Sequence, residues 1–457
     1  MAGIRLTLRD IVLFERPMRF THPFRFGVAR VEAAPQAFVR VRVETEHGAS
    51  AGAAAEMMMP KWFDKDPRRS PDETVADLRA SLAAAAGRYA DAGSVPRTPF
   101  GLHAAARDPG EGRGPALVRA YGAAVIDRAV LDAALRAAGL GLLEGLRANA
   151  PGLDARLTPD LDDREIAGHL RNLAPVGHVA LRHTVGLADP LDALEALLAG
   201  GALGYLKVKL GGDPDADAGR LSAVADLLAR HAPGARVTLD ANEGYDPGRL
   251  AVLLERLDAP ALAGMRRRLL YVEQPFDRAE TFAQALGPLA AAVPFVIDEA
   301  DGDLDAFPRA LALGYRGVSI KGCKGLYKGL LNAVRAAARP GAFVTAEDLT
   351  CQAGLAVQQD TALAAALGLA HAERNGHHYV AGFGPAPDAE AEAFAAAHPG
   401  LYVRTRAGIR LATAAGRLAA GSLLAVPGFA GGAEPDWAAM APIPTRTPIQ
   451  APREIRA

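Results

Sequence analysis

Three short apolar runs, each closed by an acidic residue, decide the fold of this chain. They read VTLDAN (residues 237–242), LYVEQP (270–275) and FVIDE (295–299), with helical segments between them. Strands that alternate with helices at intervals of about 25 to 35 residues are typical of parallel α/β proteins.

The same alternation continues on both sides of these runs. It predicts eight strands, at residues 179–181, 205–210, 237–240, 269–273, 295–298, 317–321, 342–346 and 378–381. A doubly wound dinucleotide-binding sheet would carry a G-x-G-x-x-G turn after its first strand, and none occurs there. We therefore predict a (β/α)₈ TIM-type barrel over residues 151–385.

The flanking segments have a different pattern. Residues 1–150 begin with alternating apolar positions and continue with helical periodicity, which predicts an N-terminal α+β capping domain. Residues 386–457 are rich in Gly and Pro, and we expect this C-terminal segment to pack back on the capping domain and complete it.

Composition narrows the possible partners. Among 457 residues, 51 Lys and Arg face 52 Asp and Glu, so no excess of positive charge favours nucleic acid or an anionic membrane. Two cysteines cannot form a disulfide framework, and the N-terminus lacks the apolar core of a signal peptide. Charged residues interrupt the Ala-rich stretches too often for a membrane span. We expect a cytoplasmic protein with a small-molecule partner.

The acids that end the three runs predict a metal site. Side chains at the carboxyl ends of barrel strands converge on one mouth, so Asp240, Glu273 and Asp298 would repel one another there. A single acid in such a place more often caps the next helix. Three in series favour a divalent cation, and ligation by oxygen alone suits Mg²⁺.

Lysines end the neighbouring runs. Lys207 and Lys209 lie on one face of the second strand because side chains alternate, and Lys321 ends the sixth. Each could simply pair with a neighbouring acid. A lysine beside Mg²⁺ and a second cation has its pKa lowered, however, and can act as a general base.

The order K-x-K (207–209), D-x-N (240–242), E-Q-P (273–275), D-E (298–299) and I-K-x-x-K (320–324) resembles the enolase superfamily, in particular the muconate lactonizing enzyme subgroup of the mandelate racemase/muconate lactonizing enzyme family. The resemblance implies that Asp240, Glu273 and Asp298 hold Mg²⁺. It further implies that Lys209 and Lys321 act as acid and base on opposite faces of the substrate. Implied supporting roles are Lys207 lowering the pKa of Lys209, Glu299 holding Lys321, and Asn242 lying near the metal.

The resemblance implies a Mg²⁺-dependent enzyme that removes the proton next to a substrate carboxylate and forms an ene-diolate. Lysines on both faces favour racemisation or epimerisation, with dehydration of an acid sugar and cycloisomerisation as alternatives. A Schiff-base aldolase and a non-catalytic binding or scaffold protein stay open as other classes. We also expect a homo-oligomer.

Substrate contacts are predicted from the remaining polar and aromatic residues. Those near the first and eighth strands suggest a polyhydroxylated or doubly carboxylated substrate; they are Arg182, His183, His377 and His378. Dipeptide epimerases of this family carry D-x-D at the eighth strand, where this chain would read RNGHHYV (374–380), so a dipeptide is disfavoured.

An apolar lid is expected from the capping domain. It would comprise Phe24, in the aromatic and basic loop 19–27, together with Met58 and Trp62 in the run EMMMPKWF (56–63). The same residues could instead form a corner of the capping domain's core.

Overall fold

The computed structural model describes residues 3–26, 29–108 and 114–445. Within these ranges no helix combines the length and apolar character needed to cross a bilayer. The chain forms an antiparallel sheet domain and a closed parallel barrel, as the sequence predicts.

The capping domain is a meander of three strands followed by helices. Its elements are β1 (Leu6–Phe26), β2 (Ala29–Thr45), β3 (Gly48–Met57), α1 (Pro71–Ala92), α2 (Pro99–Ala106), α3 (Ala116–Ala137) and α4 (Leu142–Arg147). Gly52 allows α3 to lie directly on β3, because a Cβ there would come within 2.3 Å of the Ala129 carbonyl oxygen.

The barrel contains eight parallel strands, and the pairing of the last with the first closes it. The strands are β4 (His178–Val185), β5 (Tyr205–Lys209), β6 (Arg236–Asp240), β7 (Leu269–Glu273), β8 (Phe295–Ile297), β9 (Gly317–Ile320), β10 (Phe343–Ala346) and β11 (His371–Glu373). The surrounding helices are α5 (Asp163–Arg171), α6 (Leu191–Ala199), α7 (Pro214–His231), α8 (Pro247–Asp258), α9 (Ala263–Arg268), α10 (Leu289–Ala292), α11 (Ala306–Ala312), α12 (Leu326–Ala337), α13 (Leu355–Ala366) and α14 (Gly376–Tyr379).

Several helices begin at side-chain caps that the sequence supplies. The hydroxyl of Ser70 accepts the amide of Glu73 while the Glu73 carboxylate accepts the amide of Ser70, so that a capping box starts α1. Asp162 and Glu165 form the same arrangement at α5. Asp213 caps α7, where a proline occupies the first turn.

The C-terminal segment contacts both parts of the molecule. Its elements are α15 (Asp388–Ala397), β12 (Tyr402–Thr405), β13 (Gly408–Leu411), β14 (Arg417–Ala419), α16 (Gly421–Ala425) and β15 (Ala441–Pro442). β15 pairs with β1 of the cap, and a buried ion pair joins Arg16 to Glu390 at 2.6 Å. β14 pairs with the start of β4 in the barrel.

The predicted position of the eighth strand is wrong. Residues 378–381 follow α14, and the eighth strand is β11, where Ala372 pairs with Leu181 of β4. β11 has only three residues and one of them is apolar, so it leaves almost no hydrophobic pattern. The apolar residues Tyr379 and Val380, which suggested a strand, are buried because the β1–β2 hairpin covers them. Phe20 of the hairpin forms an isolated β-bridge with Val380.

The aromatic and basic segment 19–27 is not a loop as far as the structure describes it. β1 continues to Phe26 and pairs with β2, with Phe24 opposite Val31. The hairpin extends over the barrel, where the hydroxyl of Thr21 donates to the carbonyl of His378 at 3.0 Å. The sequence of this segment does not show the usual alternation of polar and apolar residues, because one face of the hairpin carries aromatic residues that contact the barrel.

A buried polar group joins the cap to the barrel. Glu56 of β3 accepts a hydrogen bond from Arg128 of α3 at 2.9 Å and another from the Cys351 thiol at 3.3 Å. Asp360 of α13 lies 3.8 Å from Arg128. Burial, with the charge of Asp360, raises the pKa of Glu56 from 4.5 to about 7 although Arg128 opposes the shift.

Glu56→Gln should flatten the pH dependence of stability. The folded chain holds the Glu56 proton more tightly than the unfolded chain does, so protonated Glu56 stabilises the fold. This stabilisation is fully present below pH 4.5 and is lost as the pH rises to about 7. The loss is on the order of 3 kcal/mol. Urea unfolding from pH 4.5 to 8 should show the decline in the native protein and a smaller decline in the variant. Parallel curves would contradict the assignment.

Candidate active site at the barrel mouth

Strand register brings the acids and lysines of the motifs together. In the parallel pairing Lys209 lies beside Asp240, Asp240 lies beside Glu273, and Glu273 lies beside Val296. Asp298 follows Val296 by two residues and therefore shares its face. The ends of four consecutive strands thus place their polar side chains at one mouth.

Three buried carboxylates form the tightest acidic group in the described chain. Glu273, Asp298 and Glu347 each offer an oxygen within 4.8 Å of the others. The sequence motifs predict the first two as ligands but not Glu347, although Glu347 directly follows β10 and is likewise an acid after a strand. Asp240 stands beside this group with its Oδ2 bound by ammonium groups, Lys209 at 2.5 Å and Lys207 at 2.9 Å.

The amine of Lys207 lies at the centre of the site. It contacts four carboxylates at 2.8 to 2.9 Å, which belong to Asp240, Glu273, Glu347 and Glu373. Burial alone would lower the pKa of Lys207, but the four carboxylates raise it well above its usual value. Lys207 is therefore a fixed cation. Glu373 was not predicted, because it ends β11 and the eighth strand was predicted at residues 378–381 instead.

The carboxylates fit a divalent cation with oxygen ligands. Glu273 Oε2 is buried and has no hydrogen-bond partner among the described residues, although a buried carboxylate oxygen needs one. Burial, and next the charge of Glu347, raises the pKa of Glu273 well above its usual value. A divalent cation would satisfy the free oxygen and remove the repulsion between the acids.

Lys209 and Lys321 line one small cavity. Lys321 contacts Asp298 at 2.7 Å and Glu347 at 3.1 Å, and its Nζ lies 4.6 Å from the centre of the Trp62 ring. Burial alone would lower the pKa of Lys321, but Asp298 and Glu347 hold it well above its usual value. The lowered lysine pKa expected from the sequence therefore requires a metal ion that neutralises these acids.

The cavity lies between cap and barrel. Its free volume is about 20 Å³, little more than a water molecule needs, so the cap is closed over the mouth. Its wall consists of Phe24, Met59, Trp62, Lys209, Asn242, Lys321, Asp348, Leu349, Thr350, Glu373 and Asn375.

Among the predicted lid and metal-proximal residues, Phe24, Trp62 and Asn242 line this cavity. Met58 is buried but is not in the wall, where Met59 takes its place. Glu299 accepts hydrogen bonds from Lys65 at 3.1 Å and Asn242 at 3.2 Å. The carboxylate partners of Lys321 are Asp298 and Glu347, so the holding role implied for Glu299 falls to them in this structure.

The four polar residues predicted from the first and eighth strands lie outside the cavity wall. Arg182 is buried inside the barrel, where it donates to Thr345 at 3.0 Å and to Glu347 at 2.6 Å. The histidines cluster beneath the capping hairpin, with His183 Nδ1 at 3.2 Å from His377 Nε2 and the His378 ring beside both. Burial lowers the pKa of His183 to about 3 and that of His377 to about 4.

Supporting residues fix Asp298. The Gln274 side-chain oxygen accepts the amides of Asp298 at 2.8 Å and Ala300 at 3.1 Å. Lys324 donates to Asp298 Oδ1 at 3.2 Å and to the Ser319 hydroxyl at 2.9 Å. The glutamine of E-Q-P and the second lysine of K-x-x-K thus orient an acid of the site.

Two cations fasten the cap to the mouth. Arg278, after β7, donates to the carbonyls of Phe63 at 3.0 Å and Trp62 at 3.2 Å, and it pairs with Glu243 at 2.8 Å. Lys65 of the cap reaches the opposite way, to Glu243 and Glu299 of the barrel. The position of Trp62 over Lys321 depends on these contacts.

Comparison with known proteins finds a related protein family. Residues 191–409 match the family model described as enolase C-terminal domain-like. No curated protein sequence matches the chain.

Solved structures share the fold over nearly the whole length. A dipeptide epimerase from Enterococcus faecalis V583, complexed with Mg and L-Leu-L-Tyr, is 17% identical with a TM-score of 0.59, covering 83% of this chain and 93% of its own. One from Cytophaga hutchinsonii, complexed with Mg and D-Ala-L-Val, is 16% identical with a TM-score of 0.59, covering 95% and 99%. A mandelate racemase/muconate lactonizing protein from Herpetosiphon aurantiacus is 20% identical with a TM-score of 0.60, covering 93% and 97%.

Residues 191–409 are therefore similar to the enolase C-terminal domain-like family, and the chain shares the cap-and-barrel fold of these solved structures.

Arg278→Lys should loosen the cap at the mouth. Lysine cannot reproduce two carbonyl contacts together with the pairing to Glu243, and hydrogen bonds to charged groups contribute about 1.5–3 kcal/mol each. Hydrogen exchange should rise in residues 57–66. Arg249→Lys is the control, because Arg249 forms comparable contacts within the barrel, to Asp246 and the Gly212 carbonyl. Equal exchange in both variants would contradict the fastening role.

Proposed function

We propose that this protein is a Mg²⁺-dependent enzyme that removes the α-proton of a carboxylate substrate and returns it on the opposite face, as a racemase or epimerase. The observation that carries the proposal is the cavity lined by both Lys209 and Lys321. Each amine is paired with a different acid, Lys209 with Asp240 and Lys321 with Asp298. The cap must open to admit a substrate to this small cavity, and the bound substrate would then have an amine on either side.

The proposed metal ligands are Glu273, Asp298 and Asp240. Glu273 supplies the free oxygen, and Asp298 lies within the acidic group. Glu347 is the competing third ligand by proximity, but it is the partner of Arg182, whose buried guanidinium cannot lose its charge. Asp240 can turn from Lys207 to a metal ion without leaving that buried amine unpaired, because three other carboxylates still contact it.

Ligation by Asp240 would also serve the chemistry. Its Oδ2 binds Lys209 at 2.5 Å, and a lysine held in that ion pair is a poor base. A metal ion that binds Asp240 would release the Lys209 amine from this ion pair. The magnesium ion, when bound, stabilises negative charge that develops on the substrate carboxylate.

The two lysines then divide the proton transfers. The amine on one face takes the α-proton, and the ammonium on the other delivers a proton to the planar ene-diolate. The Trp62 ring over Lys321 and the closed cap exclude water, which limits exchange of the transferred proton with solvent. Loss of a β-hydroxyl or ring opening would begin with the same proton abstraction.

The corrected eighth strand changes the comparison with D-x-D. Its end reads Glu373, Arg374 and Asn375, so one acid and one amide stand where the motif has two acids, and the histidine pair lies beyond them. Two proteins of the same fold are dipeptide epimerases crystallised with Mg and dipeptides. Amino-acid derivatives therefore belong in the substrate search beside acid sugars.

The decisive experiment is hydrogen exchange in D₂O. Amino-acid derivatives, dipeptides, acid sugars and cyclic lactones are incubated with the protein and Mg²⁺, and mass spectrometry detects one exchanged hydrogen. For an exchanging substrate, Lys209→Ala and Lys321→Ala should each lower the rate at least about 10²-fold, each for a different stereoisomer. Lys61→Ala is the control, because Lys61 lies in the cap outside the cavity wall.

The outcome separates the alternatives. Exchange that survives both lysine substitutions would refute the base assignments. Net loss of water would indicate dehydration, and an altered ring would indicate cycloisomerisation. Tight binding without exchange would favour a non-catalytic binding protein, whereas trapping by borohydride in the presence of chelator would favour a Schiff-base aldolase.

Metal binding can be tested without turnover. Titration calorimetry of Mg²⁺ should show affinity reduced at least about tenfold in Glu273→Gln and in Asp240→Asn. Glu347→Gln is the matched comparison and should have a smaller effect, because its carboxylate serves Arg182. A larger loss in Glu347→Gln than in Asp240→Asn would transfer the third ligand position to Glu347.

A further inference from the structure

Three histidines lie between the β1–β2 hairpin of the cap and the barrel. His183 belongs to β4, and His377 and His378 belong to α14. The ring centres of this histidine cluster lie 4.6 to 5.4 Å apart. His183 Nδ1 is 3.2 Å from His377 Nε2. This contact requires at least one neutral imidazole, because two imidazolium rings offer only donors.

The hairpin rests on the histidine cluster and on the tyrosine that follows it. The His22 ring lies 5.6 Å from that of His378 and 4.5 Å from that of Tyr379. The Thr21 hydroxyl donates to the His378 carbonyl at 3.0 Å. Phe24 packs on Tyr379 at 4.5 Å and also lines the cavity that contains the two proposed bases. Lifting the hairpin would therefore open the barrel mouth.

The histidine cluster has no acidic partner. Ion pairs with carboxylates occur at three other histidines of the described chain, His47, His103 and His231. None occurs at the cluster among the described residues. His377 Nδ1 and His378 Nε2 are buried and have no hydrogen-bond partner there either. Protonation would thus bury a positive charge together with an unpaired N–H group, which is costly.

The surrounding charges do not compensate for such a proton. On the barrel they are Asp189, Glu373 and Arg374, and on the hairpin they are Arg19, His22, Arg25, Arg30 and Glu32. The charge of Glu373 favours protonated His378, but Lys207, Thr184 and Asn375 already bind its oxygens. Asp189 accepts the Gly186 amide at 2.7 Å, and Arg30 pairs with Glu32 in solvent.

The burial of neutral imidazoles makes hairpin docking depend on pH. Burial, and next His377, lowers the pKa of His183 from 6.5 to about 3, and burial lowers that of His377 to about 4. An imidazole released into water regains its ordinary pKa, so the open form binds protons that the docked form refuses. Docking is therefore intact above pH 6.5 and weakens as the pH falls toward 4. At pH 5 each of these two histidines favours the open form about 30-fold.

We propose that the histidine cluster is a pH-sensitive switch of the cap, in which protonation of His183 and His377 releases the β1–β2 hairpin from the barrel and opens the mouth. The switch controls access to the site whatever reaction takes place there. Protonation of Glu56 has the opposite sign, because it stabilises the fold as the pH falls. Mild acid should therefore lift the hairpin without unfolding the cap.

Energy transfer between two dyes tests the switch in the full-length protein, with dyes whose emission does not change with pH. Arg30→Cys on the hairpin and Asp192→Cys in α6 provide exposed attachment sites, and the native Cys323 and Cys351 are fully buried. The transfer efficiency should change as the pH falls from 7.5 to 5. Because more than one proton is taken up, the ratio of open to docked protein should rise more than about tenfold between pH 6 and pH 5.

His183→Asn combined with His377→Gln removes two titrating groups, and the amides replace the Nδ1 and Nε2 atoms that face each other. In this double variant the same ratio should change less than about tenfold between pH 6 and pH 5, because only His378 remains. His47→Gln is the control. His47 is exposed near the β2–β3 turn, so its loss should leave the native response unchanged.

Transfer that stays constant down to pH 5 would overturn the switch. An equal response in the double variant would also overturn it, because other groups would then be responsible. Circular dichroism is recorded alongside, and a loss of helical signal that parallels the change in transfer would show general unfolding and refute the proposal. If the double variant does not fold, His377→Gln alone should still take up fewer protons on opening than the native protein.

Discussion

Everything at the barrel mouth depends on the contacts that the Lys207 amine makes with four buried carboxylates. Without that cation, Asp240, Glu273, Glu347 and Glu373 would be acids in a medium that favours their neutral forms. Arg182 and Lys321 complete the compensation from opposite sides of Glu347. The fold serves this cluster because eight parallel strands deliver side chains from separate parts of the sequence to one end.

Several residues at the barrel mouth have strained backbone conformations that the surrounding contacts must hold in place. Non-glycine residues in the left-handed region occur directly after barrel strands: Asn242 (φ 43°) and Glu243 (φ 70°) after β6, Gln274 (φ 36°) after β7, and Thr350 (φ 62°) beyond β10. Such conformations cost about 1–3 kcal/mol each and persist only where surrounding contacts determine them. The bonds of Gln274 to the Asp298 loop, and of Thr350 to Asp348, are contacts of that kind.

Much of this arrangement could be predicted from sequence, and the failures have physical causes. Strands that are buried on both faces are apolar runs in the sequence, so the barrel strands could be recognised. Asp298, Glu273 and the lysines end such runs, and their convergence could therefore be predicted. β11 leaves no such run, because two of its three residues are polar and one of these, Glu373, pairs with Lys207. Its misplacement concealed Glu373 and Asn375 and gave His377 and His378 a position in the site. Glu347 carried the same signal as the other acids but lies outside the family motif.

The ion pairs of the site indicate which state of it is reactive. Lys207 contacts Asp240, Glu273, Glu347 and Glu373, and Lys321 and Lys324 contact Asp298. Lys209 has a single carboxylate partner among the described residues, Asp240. A divalent cation bound by Asp240 would compete with Lys209 for that carboxylate and would release its amine from the ion pair. Binding of the metal would therefore prepare the site for proton transfer at the same time as it provides a partner for the substrate carboxylate.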